Sequence, residues 1–149
     1  MNIREITKIE LEELLDLYGS LHEHDEPLPP KEVVNQVWTN IQSNSGILCF
    51  GLYDQGSLVS SCTLVVIPNL TRGCRSYGVI ENVVTHTNYR GLGYGKKVLD
   101  HALRHAWKNN CYKVVLTTSR LTEDIFKFYE SVGFSRYEKQ AFIAKPKST

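Results

Sequence analysis

The sequence predicts an α+β domain, a mixed α/β arrangement in which helices cover a mostly antiparallel sheet. Three features point to it. The length, 149 residues, suits one domain covering 1–149, since folding at this size removes roughly 68–70% of the extended surface from water. Two strand-like runs joined by a hairpin signal lie in the first half of the chain. The second half alternates strand-like and helix-like segments.

Ile3 to Ile6 reads as a short strand. Leu11, Leu14, Leu15 and Tyr18 recur at i, i+3, i+4 and i+7, the stripe of an amphipathic helix. The prolines of 27–30 break that helix and open a second one, because proline is tolerated in a first helical turn. Val34, Val37, Trp38 and Ile41 give the second helix its apolar stripe, and Ser43 to Gly46 ends it. Ile47 to Tyr53 and Leu58 to Ile67 are strands joined by Asp54-Gln55-Gly56. Gly78 to Thr85 is a third long strand, rich in β-branched residues. A glycine-rich turn leads into a helix from Tyr94 to Asn109, with Val98, Leu99, Ala102, Leu103 and Ala106 toward the core. Tyr112 to Thr118 is a strand, Thr122 to Val132 a helix capped by Gly133, and Phe134 to Ala144 a closing strand or hairpin. The expected sum is six to seven strands and four helices.

Hydrophobic residues make up 42% of the chain and charged residues 22%, which excludes a disordered chain. No apolar run approaches the ~20 residues of a membrane span, and the N-terminus has no apolar stretch behind a basic start. Cys49, Cys62, Cys74 and Cys111 are far apart without a C-x-x-C pair, so neither a metal site nor a disulfide framework is expected. Free thiols fit a reducing compartment, and a soluble cytoplasmic protein is the expectation. The net charge of +1 hides an asymmetry: residues 1–30 hold 2 basic and 8 acidic side chains out of 17 and 16. Such a division suits a protein that handles a cationic and an anionic ligand together, although one acidic solvated helix face would produce it too. The basic residues form no dense block, so no nucleic-acid partner is expected.

The most informative stretch is Tyr89-Arg90-Gly91-Leu92-Gly93-Tyr94-Gly95-Lys96-Lys97, between a strand and a helix. Alternate glycines let the backbone approach a ligand closely. The unpaired N–H groups and dipole of the helix that starts there point at the same place. That is an anion site, and Arg90, Lys96 and Lys97 add formal charge. A magnesium-nucleotide loop would need Ser or Thr where Lys97 stands. The dinucleotide fingerprint needs G-x-G-x-x-G and an acid about 20 residues on; the glycines here are spaced one short, and Val114-Val115-Leu116 occupies the acid's place.

Arg90-x-x-Gly93-x-Gly95 resembles the (Arg/Gln)-x-x-Gly-x-(Gly/Ala) signature of the GNAT superfamily of acyl-CoA N-acyltransferases, and it follows the strand Ile80-Glu81-Asn82-Val83-Val84-Thr85 as it does there. A second element, Phe128-Tyr129-Glu130-Ser131-Val132-Gly133-Phe134, resembles the family's Phe-Tyr-x-x-x-Gly-Phe. The resemblance covers 78–134 and implies a splayed central sheet in a single domain.

The resemblance also implies an acetyl-CoA-dependent N-acetyltransferase acting on a primary amine. The main-chain N–H groups of Arg90, Gly91, Leu92, Gly93, Tyr94, Gly95 and Lys96 would hold the pyrophosphate of coenzyme A. Val83, Val84 and Thr85 would run along the pantetheine arm, with one N–H polarising the thioester carbonyl. Tyr129 matches the position whose hydroxyl protonates the departing thiolate. Glu81 is the one carboxylate in its strand and matches a glutamate of family members acting on amino-sugar phosphates; it would orient a water or the amine, or make a structural bond. The family's pantetheine-contacting Asn is Thr122 here.

Other candidates are weaker. His101 and His105 are spaced i, i+4, but without a third ligand a solvated face is expected and no metal. The loop with His22, Glu23, His24, Asp25 and Glu26 lies where the family places part of the acceptor site, and Arg72 and Arg75 would suit a phosphate or carboxylate on the acceptor. The leading expectation is a small-molecule amine acceptor, an amino sugar or its phosphate; a peptide amine, or acyl-CoA binding without turnover, are the alternatives. No membrane partner is expected, and the resemblance allows a homodimer.

Overall fold

The computed structural model describes residues 1–22 and 24–146. Two compact units make up the chain, 1–116 and 117–149. The first holds one five-stranded sheet in the order β1-β2-β3-β4-β5. Its strands are β1 (Asn2–Glu5), β2 (Ile47–Asp54), β3 (Ser57–Ile67), β4 (Tyr77–Thr85) and β5 (Val114–Leu116), and its helices are α1 (Leu11–Tyr18), α2 (Lys31–Ser43) and α3 (Tyr94–Lys108). The first four strands are antiparallel neighbours, and β5 pairs parallel with β4. The β2–β3 turn needs only Gln55 and Gly56, both at positive φ (50° and 87°), the backbone that matches the twist of a two-residue hairpin.

Adjacent residues of a strand point to opposite faces, and that sorts the helices. Cys49 packs in a cluster with Ile6, Leu14 and Leu17 of α1, Trp38 of α2, Tyr53, Leu58 and Val84. Phe50, its neighbour, meets His101 of α3 edge to face and His105 at a tilt, with ring centroids 4.8 and 5.3 Å away. Helices α1 and α2 therefore cover one face and α3 the other. Val98, Leu99, Ala102 and Ala106 are fully buried, and burying a side chain of Leu or Val size stabilises by roughly 1.5–3 kcal/mol. His101 and His105 are half-buried against Phe50 and not on a solvated face, and burial holds the His101 imidazole below its ordinary pKa.

Helix α2 is anchored more narrowly than its pattern suggests. Only Trp38 is buried, its indole N–H donating to the Lys8 carbonyl at 3.0 Å, while Val37 is half exposed.

The second unit contains α4 (Glu123–Glu130). Its C-terminus closes as predicted: Gly133 takes φ 103°, its N–H donates to the Glu130 carbonyl at 2.9 Å, and Phe134 N–H donates to the Tyr129 carbonyl at 3.2 Å. That pair of bonds is the glycine-terminated cap helices favour.

Two expectations need correction. The sheet has five strands, not six to seven, because 134–144 forms no strand among the described residues. A strand needs a neighbour for its ladder, and the described residues of 117–149 contain no other strand. Tyr137, Phe142 and Ile143 accordingly stand exposed. The strand expected over Tyr112 to Thr118 shrinks to Val114–Leu116.

Candidate active site

The centre of β4 is irregular. Ser61 pairs with Val84 and Thr63 with Glu81, so Cys62 alone faces Asn82 and Val83. This is a β-bulge, which re-aims the backbone beside it. Asn82 carries the strain at φ 52°, left-handed backbone that Asn tolerates better than most residues. Beside the bulge a polar patch runs from the core to the surface: Cys49 and Thr63 are buried, Tyr18 is half-buried and Asn82 is exposed. The Tyr18 hydroxyl interacts with the side chains of Thr63 and Asn82, and Thr63 lies 3.6 Å from the Cys49 sulfur.

Beyond the bulge, β4 loses one neighbour. Its pairing with β5 covers only Gly78 to Ile80, whereas the β3 ladder continues to Thr85. Alternate main-chain groups between Glu81 and Thr85 therefore face a side with no strand among the described residues of the 1–116 unit. An edge of this kind accepts an extended guest as an added strand. Ser60 closes the opposite side, its hydroxyl donating to the Val84 carbonyl at 2.9 Å and lying 2.8 Å from the Thr85 hydroxyl. Glu81 is the last residue before the bulge and is exposed.

The glycine turn follows after one short 3-10 turn, Thr87–Tyr89. Gly91 and Gly93 sit at φ 78° and 77°, and a Cβ built on either would meet nothing within 4 Å. Glycine is needed here for conformation, not for space. Gly93 is the N-cap of α3 and supplies no side-chain cap; the first helical bond runs from Lys97 N–H to the Gly93 carbonyl at 3.1 Å. Helix geometry thus leaves the N–H groups of Tyr94, Gly95 and Lys96 without intrahelical partners. The first turn carries no acid but two lysines, against the preference of the dipole, an arrangement that an anionic ligand relieves.

Side chains around the turn hold it in place. The Arg90 guanidinium donates to the Thr85 carbonyl at 3.2 Å and the Ser20 carbonyl at 2.8 Å, joining the end of β4 to the end of α1. Its side chain is thus a clamp, and what it offers a ligand is backbone and field. The Tyr94 hydroxyl donates to Asp54 of the β2–β3 hairpin at 2.6 Å, a bond that raises its pKa. Asp54 is a contributor that the sequence did not reveal, because its partner is 40 residues away.

Glu81, Val83, Val84, Thr85 and the segment from Arg90 to Lys96 thus lie on one strand and the turn after it. Thr122 and Tyr129 belong to the other unit. Thr122 is the N-cap of α4 and its side chain bonds Asp124, lowering that carboxyl's pKa. Tyr129 sits half-buried between Phe128 and Phe134, with centroids at 5.0 and 6.2 Å. In the 21–30 loop His22, His24, Asp25 and Glu26 are exposed, and Glu23 lies outside the described residues. A shallow cavity of about 200 Å³, lined by residues that include Leu11, Leu15, Leu28 and Val34, shares no residue with the predicted site. Among the described residues no group of three or more His, Cys, Asp or Glu is placed to hold a metal ion, and no helix is long and apolar enough to cross a membrane.

The model of the acetyltransferase (GNAT) family matches residues 10–134. The glucosamine 6-phosphate N-acetyltransferase of Trypanosoma brucei brucei is 34% identical over 142 residues, 94% of this chain and 92% of that one. Among solved structures, a protein from Agrobacterium tumefaciens str. C58 superposes with a TM-score of 0.90 at 37% identity, covering 97% and 100% of the two chains. An acetyltransferase of Trypanosoma brucei gives 0.79 at 32% identity, covering 97% and 99%.

Proposed function

Since the chain belongs to the acetyltransferase (GNAT) family and is an N-acetyltransferase, we propose that it transfers the acetyl group of acetyl-CoA to the primary amine of an amino sugar phosphate. The observation that carries the proposal is the open, bulged edge of β4 running directly into the glycine turn. One continuous segment would serve the two ends of the donor. N–H groups from Arg90 to Lys96 would bind its pyrophosphate; Val83, Val84 and Thr85 would pair with its pantetheine arm, Thr122 adding a contact. The phosphorylated acceptor rests on the name of the Trypanosoma brucei brucei relative and on Glu81 within Ile80-Glu81-Asn82-Val83-Val84.

The reaction is a direct attack. The ammonium of the acceptor gives a proton to Glu81, through a water, and the free amine adds to the thioester carbonyl carbon. A β4 main-chain N–H after the bulge stabilises the oxyanion. The intermediate collapses with cleavage of the C–S bond; Tyr129 protonates the leaving thiolate and is reprotonated by the nitrogen, which gives up its second proton to become the amide. The products are the N-acetyl sugar phosphate and free coenzyme A.

The test is the thermal midpoint with acetyl-CoA, ATP or NAD, followed by thiol release with an amine panel. A donor at ~100 times its Kd adds about 2.7 kcal/mol, roughly 5–10 °C at this size. A shift with acetyl-CoA alone, and turnover of glucosamine 6-phosphate, are expected. No shift with acetyl-CoA defeats the donor assignment. A shift without turnover of any amine supports a binding module, and turnover of peptide amines alone supports the peptide reading.

A further inference from the structure

Left-handed backbone in the middle of a strand needs something to keep it there. Asn82 holds φ 52°, a conformation that Asn tolerates but does not prefer over the extended one. It stands directly before Val83, Val84 and Thr85, the stretch assigned to the thioester and the pantetheine arm. If residue 82 relaxed into extended backbone, the bulge would lose its two-against-one count. The residues after it would then shift by one in register, and a shift of one turns each group to the opposite side.

The restraint comes from α1. Leu14 and Leu17 root this helix in the core, and Tyr18, one turn after Leu14, shares its face. The Tyr18 hydroxyl meets the side chains of Thr63 and Asn82. Thr63 is itself fixed, because it is buried in β3, pairs with Glu81 and lies 3.6 Å from the Cys49 sulfur. The end of the helix is equally firm. Gly19 N–H donates to the Asp16 carbonyl at 3.1 Å, Ser20 N–H to the Leu17 carbonyl and Leu21 N–H to the Tyr18 carbonyl, both at 2.9 Å. Two residues beyond Tyr18, the Ser20 carbonyl accepts from Arg90, which also donates to the Thr85 carbonyl. The last turn of α1 is thus tied to both ends of the 82–85 stretch, at Asn82 through Tyr18 and at Thr85 through Arg90.

We infer that Tyr18 is a positioning residue for acetyl transfer: its hydroxyl holds Asn82 in left-handed backbone and so sets the direction of the main-chain N–H groups that follow the bulge. This rests on the acetyltransfer reading above. Burial pushes the hydroxyl up to about 12, so it stays protonated at neutral pH and works as a fixed polar contact. A donor aimed before the reaction begins is what stabilises a developing oxyanion, and a small misplacement of it is costly.

The experiment measures kcat and the KM for acetyl-CoA with glucosamine 6-phosphate as acceptor, all proteins full length. Tyr18→Phe keeps the ring and removes the contact. It is expected to lower kcat about tenfold or more and to raise the KM for acetyl-CoA less than about threefold, since the glycine turn and its Arg90 clamp are untouched. Asn82→Ala, which leaves Tyr18 in place, is expected to lose as much, and the Y18F/N82A double variant no more than N82A alone. Glycine takes positive φ without a brace, so Tyr18→Phe is expected to cost less than about twofold when made in N82G. Full kcat in Y18F overturns the inference. An equal loss in the Asn82 and N82G backgrounds also overturns it, because the hydroxyl would then act other than through residue 82. A raised KM with kcat unchanged would make Tyr18 a donor contact and overturn it too. The three-bond coupling between the amide and α protons of residue 82 follows φ and needs no turnover. If wild type acetylates no amine, the functional reading fails and this coupling decides the brace: a rise toward the extended-strand value in Y18F keeps it, and an unchanged coupling removes it.

Discussion

Gly93 sits at φ 77°, and a Cβ added there would have no atom within 4 Å, so Gly93→Ala separates conformation from crowding. The strain costs about 1 kcal/mol, a fall of roughly 2–4 °C in Tm. The KM for acetyl-CoA should rise with it, because the residue sets the direction of the first N–H groups of α3. A KM unchanged beside a lowered Tm would show that the turn does not bind the donor. The two proton-handling residues make a sharper test. Glu81→Gln and Tyr129→Phe should each lower kcat about a hundredfold while leaving Tm within about 2 °C; full kcat in both would remove the catalytic assignment. At this scale the spacing of Arg90, Gly93 and Gly95 makes the turn legible in the sequence. The destination of the Arg90 side chain is not legible there, because its acceptor is the carbonyl of Ser20, 70 residues away, and any residue type at that position would offer the same group. Asn82 is equally hidden: a bulge arises from how β3 and β4 register, and no local pattern in either strand announces it.

Beside the ladders of the sheet, single side-chain bonds tie one element to another, and each can be cut. The Tyr94–Asp54 bond ties the start of α3 to the β2–β3 hairpin. Tyr94→Phe and Asp54→Asn should each raise the KM for acetyl-CoA about two- to tenfold, with kcat at saturation little changed. The double variant should be no worse than either single one, because the same bond is lost. Additive effects would mean that the two residues act separately. In the 117–149 unit, Arg136 forks between Glu123 and Glu130 at 2.7–3.0 Å and pins the segment after α4 to it. The Arg136 guanidinium lowers both carboxyl pKa values, so its contribution is present above the unfolded carboxylate pKa near about 4.3. It is lost as pH falls through the lowered folded values. Helicity of wild type should therefore decline in that acid range more than helicity of Arg136→Gln; parallel curves would show the clasp to be idle. Most elements are legible from spacing and punctuation, as α3 and the Gly133 cap show. The expected closing strand of 134–144 fails because β-propensity becomes a strand only when a neighbour is there to pair with. Helix α1 shows a smaller miss: its buried side chains are Leu14 and Leu17, since the sheet below it chose a face slightly rotated from the stripe counted in the sequence.

The core of the 1–116 unit is populated by weak acids that fold in their neutral form, and this sets the behaviour of the whole chain in alkali. Burial is the largest cause in each case. It pushes the Cys62 thiol and the hydroxyls of Tyr18 and Tyr53 up to about 12, and raises the Cys49 and Cys111 thiols as well. These groups span β2, β3, α1 and the approach to β5, so no local rearrangement can relieve all of them. Unfolded, the thiols release protons near about 8.5 and the phenols near about 10. The folded chain therefore holds more protons than the unfolded one above about pH 8.5, and linkage makes stability fall as pH rises from there. Below that pH the five groups are neutral in both states and their contribution is fully present. Tm should be level from about pH 7 to 8 and then decline toward about pH 11. Cys62→Ala, though less stable at neutral pH because of the cavity it leaves, should decline less steeply. A Tm that stays level across that range, or a slope unchanged in the variant, would mean that the buried thiol is not held neutral by the fold. The expectation of free cysteines comes from their spacing and number alone; Cys49, Cys62 and Cys111 are buried, while Cys74 is exposed. What the spacing does not contain is that Cys49 shares one cluster with Tyr18 and Tyr53, which follows only from the strand order β1-β2-β3-β4-β5 and the helix laid across it.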